Sequence, residues 1–140
     1  MHKIKFLFLS IGVILTLHGF TNTKIFHHTA MDFVFSPKLN KVFALIYPTD
    51  IEYGNQLIQM NAKSGEIENS LFVGNYPNTT KLTEYEKYAW ISFYGKGYVK
   101  RVNLNTFTID KEIYLGPIEK RSTVTAHGFT SLPNDNNAIE

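Results

Sequence analysis

The fold of this chain is decided by residues 54–74, which read GNQLIQMNAKSGEIENSLFVG. The first part, residues 57–61, alternates between apolar and polar side chains, as a half-exposed β-strand does. Residues 63–65, Lys-Ser-Gly, have the composition of a tight turn, and residues 66–73 return as a second β-prone run. The stretch therefore predicts a β-hairpin that ends at Gly74.

A degraded copy of this hairpin follows 42 residues later and ends at Gly116. Nine positions match in residue type: Met60, Asn61, Ser64, Ile67, Glu68, Leu71, Phe72, Val73 and Gly74 correspond to Val102, Asn103, Thr106, Ile109, Asp110, Ile113, Tyr114, Leu115 and Gly116. Upstream of the central loop the two copies align with an offset of 46, which pairs Lys41 with Lys87. This predicts four extra residues between Tyr47 and Gly54 in the first copy, because insertions occur in loops.

Two further β-prone runs precede each hairpin, at residues 31–35 and 41–47 and then at 79–83 and 87–94. The second run of each pair is apolar on both faces, which predicts a strand that is covered on both sides. Four short strands per unit and a period in the low forties are typical of a β-propeller blade. We therefore expect an all-β fold of four-stranded antiparallel blades.

The expected organisation is a partial β-propeller over residues 23–140. Blade-like repeats occupy about 31–77 and 78–120, and a third repeat begins at 121–140. Stacked repeats generally need about three or more units, because each buries its faces against its neighbours. A chain with only two blades would leave one face of each sheet uncovered. We expect either the N-terminal piece of a longer protein, a broken reading frame, or a protomer that self-associates through these faces.

The repeats resemble those of bacterial extracytoplasmic propellers of the YncE-like, surface-layer YVTN-repeat group. The resemblance is carried by Gly54-Asn55, Asn61-x-x-Ser64-Gly65, Val73-Gly74-x-x-Pro77-Asn78, Lys87-Tyr88 and Val99-x-Arg101-x-Asn103-Leu104. The second copy departs from the pattern at Phe107, where glycine is usual, and at Ile118-Glu119. The resemblance extends over about residues 31–132, and it implies a closed ring of about seven blades.

Five repeat positions are expected to have structural roles in turns and packing, namely Asn61, Gly65, Gly74, Asn103 and Gly116. Asparagine and glycine suit such positions because they tolerate turn conformations that other residues avoid. We expect substitutions there to reduce folding before they reduce binding.

The N-terminus predicts export. Lys3 and Lys5 form a basic start and residues 6–17 carry no charge, a run shorter than the roughly 20 apolar residues that cross a bilayer. We expect residues 1–22 to be a signal peptide, with an uncleaved anchor as the alternative because no Ala-x-Ala cleavage site is present. The chain would then be secreted, periplasmic or at the cell surface, without a transmembrane domain once the signal is removed. Having no cysteine, it forms no disulfide and carries no lipid-modified cysteine.

The charge balance disfavours nucleic acid and anionic membranes as partners. The net charge of +2 comes from Lys3 and Lys5, so 12 basic residues remain against 12 acidic ones after the signal. Both kinds of partner depend on clustered Lys and Arg. A protein, peptide or glycan at the cell surface is the expected partner.

No catalytic residue, cofactor site or metal site is predicted. Nucleophile elbow, phosphate-loop and zinc-ligand patterns are absent. Residues 95–97, Gly-Lys-Gly, are interpreted as a hairpin turn, and His27-His28 as a linker or first strand, since adjacent residues in an extended segment point apart. His127 is expected on a surface loop, where a place at a central funnel is the alternative. Asp50 and Glu52 alone are too few oxygens for calcium.

The insertion after Tyr47 is the candidate for partner contact, through Asp50, Glu52 and Tyr53. Trp90 is expected in the core. Lys100 and Arg101 are expected at a solvated strand edge, where Arg101 could contact a partner.

Three functions remain open at this point. The favoured one is an extracytoplasmic binding or scaffold module at the cell envelope. The alternatives are a fragment of a propeller enzyme of the lactonase or quinoprotein dehydrogenase type, and a purely structural envelope protein. The enzyme is disfavoured because a central ligand channel needs residues from many blades.

Overall fold

A computed structural model of the chain describes residues 26–116, together with Ala126, Thr130 and Asp135. The predicted signal peptide and nearly all of the third repeat, including His127, lie outside these residues. Eight strands are formed: β1 Ala30–Ser36, β2 Lys41–Ile46, β3 Gln56–Asn61, β4 Ile67–Phe72, β5 Pro77–Leu82, β6 Tyr88–Phe93, β7 Tyr98–Asn103 and β8 Thr108–Tyr114. All eight fall on the runs that the sequence predicted.

The strands form two four-stranded antiparallel sheets with the orders β1-β2-β3-β4 and β5-β6-β7-β8. The predicted fold class is thereby confirmed: the described part of the chain is all-β, and each of its two repeats is one blade. The inner strands β1 and β5 lie next to each other, while β4 and β8 form the outer edges. No helix capable of crossing a membrane occurs among the described residues.

The strand register corrects the predicted offset. Val42 lies opposite Met60 in the first sheet, and Ala89 lies opposite Val102 in the second. Met60 and Val102 are 42 residues apart, whereas Val42 and Ala89 are 47 apart. The upstream offset is therefore 47, not 46, and the first copy has five extra residues, since its β2–β3 loop (47–55) has nine residues and the β6–β7 turn (94–97) has four. The difference matters because a shift of the alignment by one residue exchanges the two faces of a strand.

A single apolar core joins the two sheets. It contains Phe43, Leu45, Leu57 and Val73 from the first blade and Leu82, Ala89, Ile91, Phe93, Val102 and Leu104 from the second. Because side chains alternate along a strand, the neighbouring residues of β2 and β6 lie on the far faces of the two sheets. With an offset of 47, each residue of β2 corresponds to a residue of β6 that points to the same side of its blade. This is expected when equivalent blades stack in the same direction.

The far faces are less exposed than predicted. Ile46 and Ile58 are fully buried, with Tyr53, Met60 and Ile67 packed against their cluster. β3 is consequently covered on both faces at its start and is not the half-exposed strand that its alternation predicted. Trp90 is 1% exposed, as expected of a core residue. On the first blade, exposed apolar side chains of the far face include Phe33 and Phe35 of the inner strand and Phe72 of the outer strand.

Carboxylates connect β1 and the turn after it to the second blade. Asp32 Oδ2 accepts hydrogen bonds from the Thr79 hydroxyl and the Thr80 amide, both at 2.8 Å. Glu86 Oε2 accepts from the Ser36 hydroxyl at 2.6 Å and from the Lys38 amide at 3.0 Å. Bonds to charged acceptors are the stronger kind, so each end of β1 is fixed to the second blade.

Lys100 and Arg101 do not lie on a solvated edge, and this prediction is wrong. Lys100 Nζ donates to the Val73 carbonyl at 3.0 Å, which connects the two blades. The Arg101 guanidinium binds both carboxylate oxygens of Asp110, at 2.9 and 3.0 Å, and lies 4.0 Å from the Tyr88 ring centroid. Strand alternation places these side chains on opposite faces, and both faces are covered.

Candidate functional site

The connections between strands divide into two ends. We call the upper end the one that carries the β2–β3 loop (47–55), the β4–β5 connection (73–76) and the β6–β7 turn (94–97). The lower end carries the turns at 37–40, 62–66, 83–87 and 104–107. The four lower turns form two equivalent pairs whose lengths differ by one residue, whereas the upper end contains the five-residue insertion. The candidate site is therefore the upper end.

The loop 47–55 is organised around the side chain of Asp50. Its Oδ1 accepts the backbone amides of Glu52 at 3.0 Å and Tyr53 at 2.8 Å. The Asp50 amide in turn donates to the Tyr47 carbonyl at 3.0 Å. An aspartate that binds amides two and three residues ahead holds the chain in a turn, so the loop has one defined conformation.

Gly54 completes this loop because the backbone leaves no room for a side chain. A Cβ at this position would lie 2.6 Å from the carbonyl oxygens of both Asp50 and Pro48. Neither neighbour is a flexible side-chain end. Only glycine allows the loop to close on itself in this way.

His28 attaches the segment before β1 to the loop. Its Nδ1 lies 2.9 Å from Asp50 Oδ2, and its ring meets the Tyr53 ring edge-on with centroids 5.0 Å apart. The Phe26 ring also packs against the His28 ring, with centroids 5.2 Å apart. No local sequence pattern indicates this contact, because His28 and Asp50 are 22 residues apart and belong to different elements.

The charge state of the loop follows from these bonds. The Tyr53 amide, together with the His28 ring, holds the pKa of the Asp50 carboxyl below its ordinary value. A hydrogen bond to the Glu52 carboxylate raises the pKa of the Tyr53 hydroxyl. Asp50 is thus an anion at neutral pH, and since a carboxylate only accepts, the Nδ1 of His28 is the donor.

A cavity of about 430 Å³ opens beside the loop. Its lining consists of His28, Thr29, Thr49, Asp50, Ile51 and Glu52. This volume falls in the range of small-molecule sites, about 300–1,000 Å³. Of the predicted contact residues, Asp50 and Glu52 line the cavity, while Tyr53 packs behind the loop on the Ile46 cluster. The part of the chain that the structure describes contains no group of three potential metal ligands.

Exposed tyrosines lie at the upper end of both blades. Tyr47 and Tyr94 are equivalent at the offset of 47 and are 42% and 66% exposed. Their backbone amides make the same bond, Tyr47 to the Thr29 carbonyl and Tyr94 to the Tyr76 carbonyl, each at 2.8 Å. Tyr76 is 58% exposed. The sequence-based prediction missed these residues, although equal spacing of two tyrosines was a signal that the correct offset would have revealed.

Tyr76 has an unusual backbone. Its φ is 58°, and its backbone amide donates a hydrogen bond to Asn55 Oδ1 at 2.8 Å. A left-handed conformation costs a non-glycine residue about 1–2 kcal/mol, and asparagine tolerates it better than tyrosine does. Its side chain is nevertheless large and exposed, which makes Tyr76 a candidate for contact with a ligand.

The predicted turn positions are placed as follows. The side chains of Asn61 and Asn103 accept backbone amides two and three residues ahead at the lower end. Gly65 has φ 69° in the β3–β4 turn. Gly74 and Gly116, with φ 127° and 92°, follow the outer strands at the upper end. None of the five lines the cavity.

The fold is similar to parts of solved structures. A protein of unknown function from Bacteroides caccae superposes with a TM-score of 0.56 at 14% identity, over 73% of this chain and 34% of that one. Hydrazine synthase from Kuenenia stuttgartiensis gives 0.53 at 16%, over 70% and 26%. Apo AztD from Citrobacter koseri gives 0.52 at 15%, over 69% and 26%.

These similar structures are β-propeller proteins, and the chain spans about a quarter to a third of their length. No protein-family model and no curated protein matches the sequence. Identities of this size establish the fold alone. The described part of the chain is therefore two adjacent blades of the β-propeller fold.

Proposed function

We propose that this chain is an extracytoplasmic propeller module of the YncE-like type that recognises a partner at the cell envelope through its upper end. The observation that carries the proposal is the loop 47–55. It is five residues longer than its counterpart, is held by Asp50 and His28, and frames a cavity. A connection that needed only to join two strands would be as short as residues 94–97.

Preorganisation supports recognition. Ordering a flexible loop on binding costs affinity, and a loop that is already fixed avoids this cost. The loop also presents Ile51 fully exposed, and an exposed apolar side chain is a common anchor for a partner. The proposed compartment rests on the N-terminal sequence of residues 1–22.

A loop graft tests the proposal. Replacing residues 47–55 by Tyr-Gly-Lys-Gly, the sequence of the equivalent turn 94–97, keeps the register of the blade. The full-length protein should co-sediment saturably with cell envelopes and the graft should not. Tyr85→Ala, at an exposed tyrosine of the lower end, is the control and should bind normally. Equal binding by a folded graft would exclude this loop as the recognition element.

Export has its own test. Fractionation of cells that express the full chain should place it outside the cytoplasm, and the N-terminus of the exported form should begin near residue 23. Recovery in the cytoplasm with Met1 intact would overturn the proposed location.

A further inference from the structure

We infer that the upper end binds a linear β-linked polysaccharide, with Tyr47 and Tyr94 as stacking platforms for its sugar rings. The inference rests on the proposed recognition function and names its ligand class. It starts from the fact that these two tyrosines occupy equivalent positions and are anchored by the same backbone bond.

The spacing of the two platforms is set by the packing of the blades. Sheets that pack face to face lie about 10 Å apart, and one tyrosine leaves the same position of each sheet. A repeated platform matches a ligand that repeats at the same distance. Alternate rings of a β-1,4-linked chain recur at about this interval, because successive rings are flipped and the chain is extended.

The rings are available for stacking. Tyr47, Tyr76 and Tyr94 are all exposed, and none of the three makes a ring contact with another aromatic side chain of the described residues. Tyrosine combines a flat apolar face with a hydroxyl group. This combination suits the apolar face and the equatorial hydroxyls of a β-linked sugar.

Polar groups for sugar hydroxyls lie next to the first platform. The Tyr47 amide binds the carbonyl of Thr29, and Thr29, Thr49 and Asp50 line the cavity. Hydroxyl and carboxylate oxygens accept the hydrogen bonds that sugar hydroxyls donate. At about 430 Å³ the cavity is large enough to take a sugar ring.

A peptide strand fits this end less well. Peptides often bind by adding a strand, which needs free backbone groups at a sheet edge. At the upper end the amides that follow the strands are already used: Val73 donates to Asn55, Tyr94 to Tyr76 and Leu115 to Gly97. Stacking on ring faces requires no free backbone group.

Titration of the full-length exported protein with soluble hexasaccharides tests the inference. Cellohexaose and chitohexaose are the β-1,4-linked probes, and maltohexaose is the α-linked control. We expect the better β-linked probe to bind at least about ten-fold more tightly than maltohexaose. Tyr47→Ala and Tyr94→Ala should each weaken it about ten-fold, the effect of losing one stacked ring. Tyr85→Ala, from the lower end, should leave affinity unchanged.

Tyr76→Gly separates binding from folding. Glycine accepts a positive φ without strain, so this variant should melt at the same or a higher temperature than the wild type while its affinity for the hexasaccharide falls. Loss of affinity together with a lower melting temperature would reduce Tyr76 to a structural role.

Two results would overturn the inference. One is that neither β-linked probe binds the folded protein, and the other is that maltohexaose binds equally well. If envelopes still bind in a manner that depends on residues 47–55, the proposed function stands and the ligand is of another class, such as a protein. If neither envelopes nor sugars bind, both proposals fail.

Discussion

The two blades have the same strand register but connect their strands with different turns. A comparison of these turns shows which positions serve the fold. At the lower end, Gly65 and Phe107 are equivalent and adopt nearly the same left-handed backbone, with φ of 69° and 52°. Glycine does this without strain. Phe107 does it while its ring stacks on Phe43 with centroids 6.5 Å apart, so packing between blades compensates for backbone strain.

At the upper end the blades differ in length. The second blade joins its strands with the four residues 94–97, whereas the first uses nine and fixes them with Asp50, His28 and Gly54. The longer loop also contacts the fold, since Tyr53 packs on the Ile46 cluster and the Asn55 side chain accepts a hydrogen bond from the Tyr76 amide. The lower-end difference therefore concerns stability, whereas the upper-end difference is the feature on which the proposed recognition function rests.

The largest expected effect is loss of the contact between blades. Phe43→Ala should reduce the free energy of unfolding by about 3–5 kcal/mol, because a fully buried phenylalanine leaves a cavity that the two sheets cannot close. Phe33→Ala, on the far face of the same blade and 69% exposed, is the control and should change it by less than about 0.5 kcal/mol. Urea denaturation of both variants gives the comparison, and equal losses would contradict the described core.

The next effect concerns the two upper loops. Gly54→Ala should cost about 1–3 kcal/mol, since the new methyl group meets two carbonyl oxygens that must move apart. Gly97→Ala, in the short turn of the second blade, finds its nearest atoms at 3.5 Å and should cost less than about 0.5 kcal/mol. Hydrogen exchange should show faster amides at Glu52 and Tyr53 in the first variant only. Unchanged exchange at these amides would mean that Gly54 does not hold the loop.

A smaller effect distinguishes Gly65 from Phe107. Phe107→Gly relieves about 1–2 kcal/mol of backbone strain and loses the larger packing of a half-buried ring, so a net loss of about 1 kcal/mol is expected. In the background of Phe43→Ala the stacking partner is gone, and the same change should become neutral or stabilising. A double-mutant cycle by chemical denaturation measures this coupling. Additive effects would show that the stacking does not offset the strain.

The smallest effect is the pH dependence of the loop. Because the pKa of Asp50 is lower in the folded chain than in the unfolded one, its contribution to stability is present above the ordinary aspartate value of about 3.9 and is lost as pH falls through the folded value. The stability difference between wild type and Asp50→Asn should therefore shrink between pH 6 and pH 3. A difference that stays constant over this range would contradict the hydrogen bonds assigned to Asp50.

The strands were predictable from sequence because their signals are local. Apolar runs at residues 41–47 and 87–94 and the turn residues between them mark each strand within two residues. The offset between the repeats was not predictable in the same way. The pairing of Lys41 with Lys87 matches residue types at the end of a strand, where packing does not constrain the residue type. Only the alternation of faces, fixed by partners such as Val42 and Met60, decides the offset.

The candidate site was predicted in part for a related reason. Composition and spacing identified the loop with Asp50 and Glu52, because an insertion is visible in a repeat. His28 was not identified as a partner of Asp50, since it approaches from a segment 22 residues earlier. Lys100 was assigned to solvent because its lysine type suggests a surface residue, whereas its ammonium group contacts a carbonyl of the neighbouring blade.

The position of Lys100 has a consequence for chemical reactivity. Its amine donates to the Val73 carbonyl and lies over the rings of Phe93 and Tyr98, with the side chain only 17% exposed. An acylating reagent should therefore modify this partly buried amine more slowly than the amine of Lys96, which lies on the exposed turn. The ratio of labelling at these two lysines thus reports on the integrity of the contact between the blades.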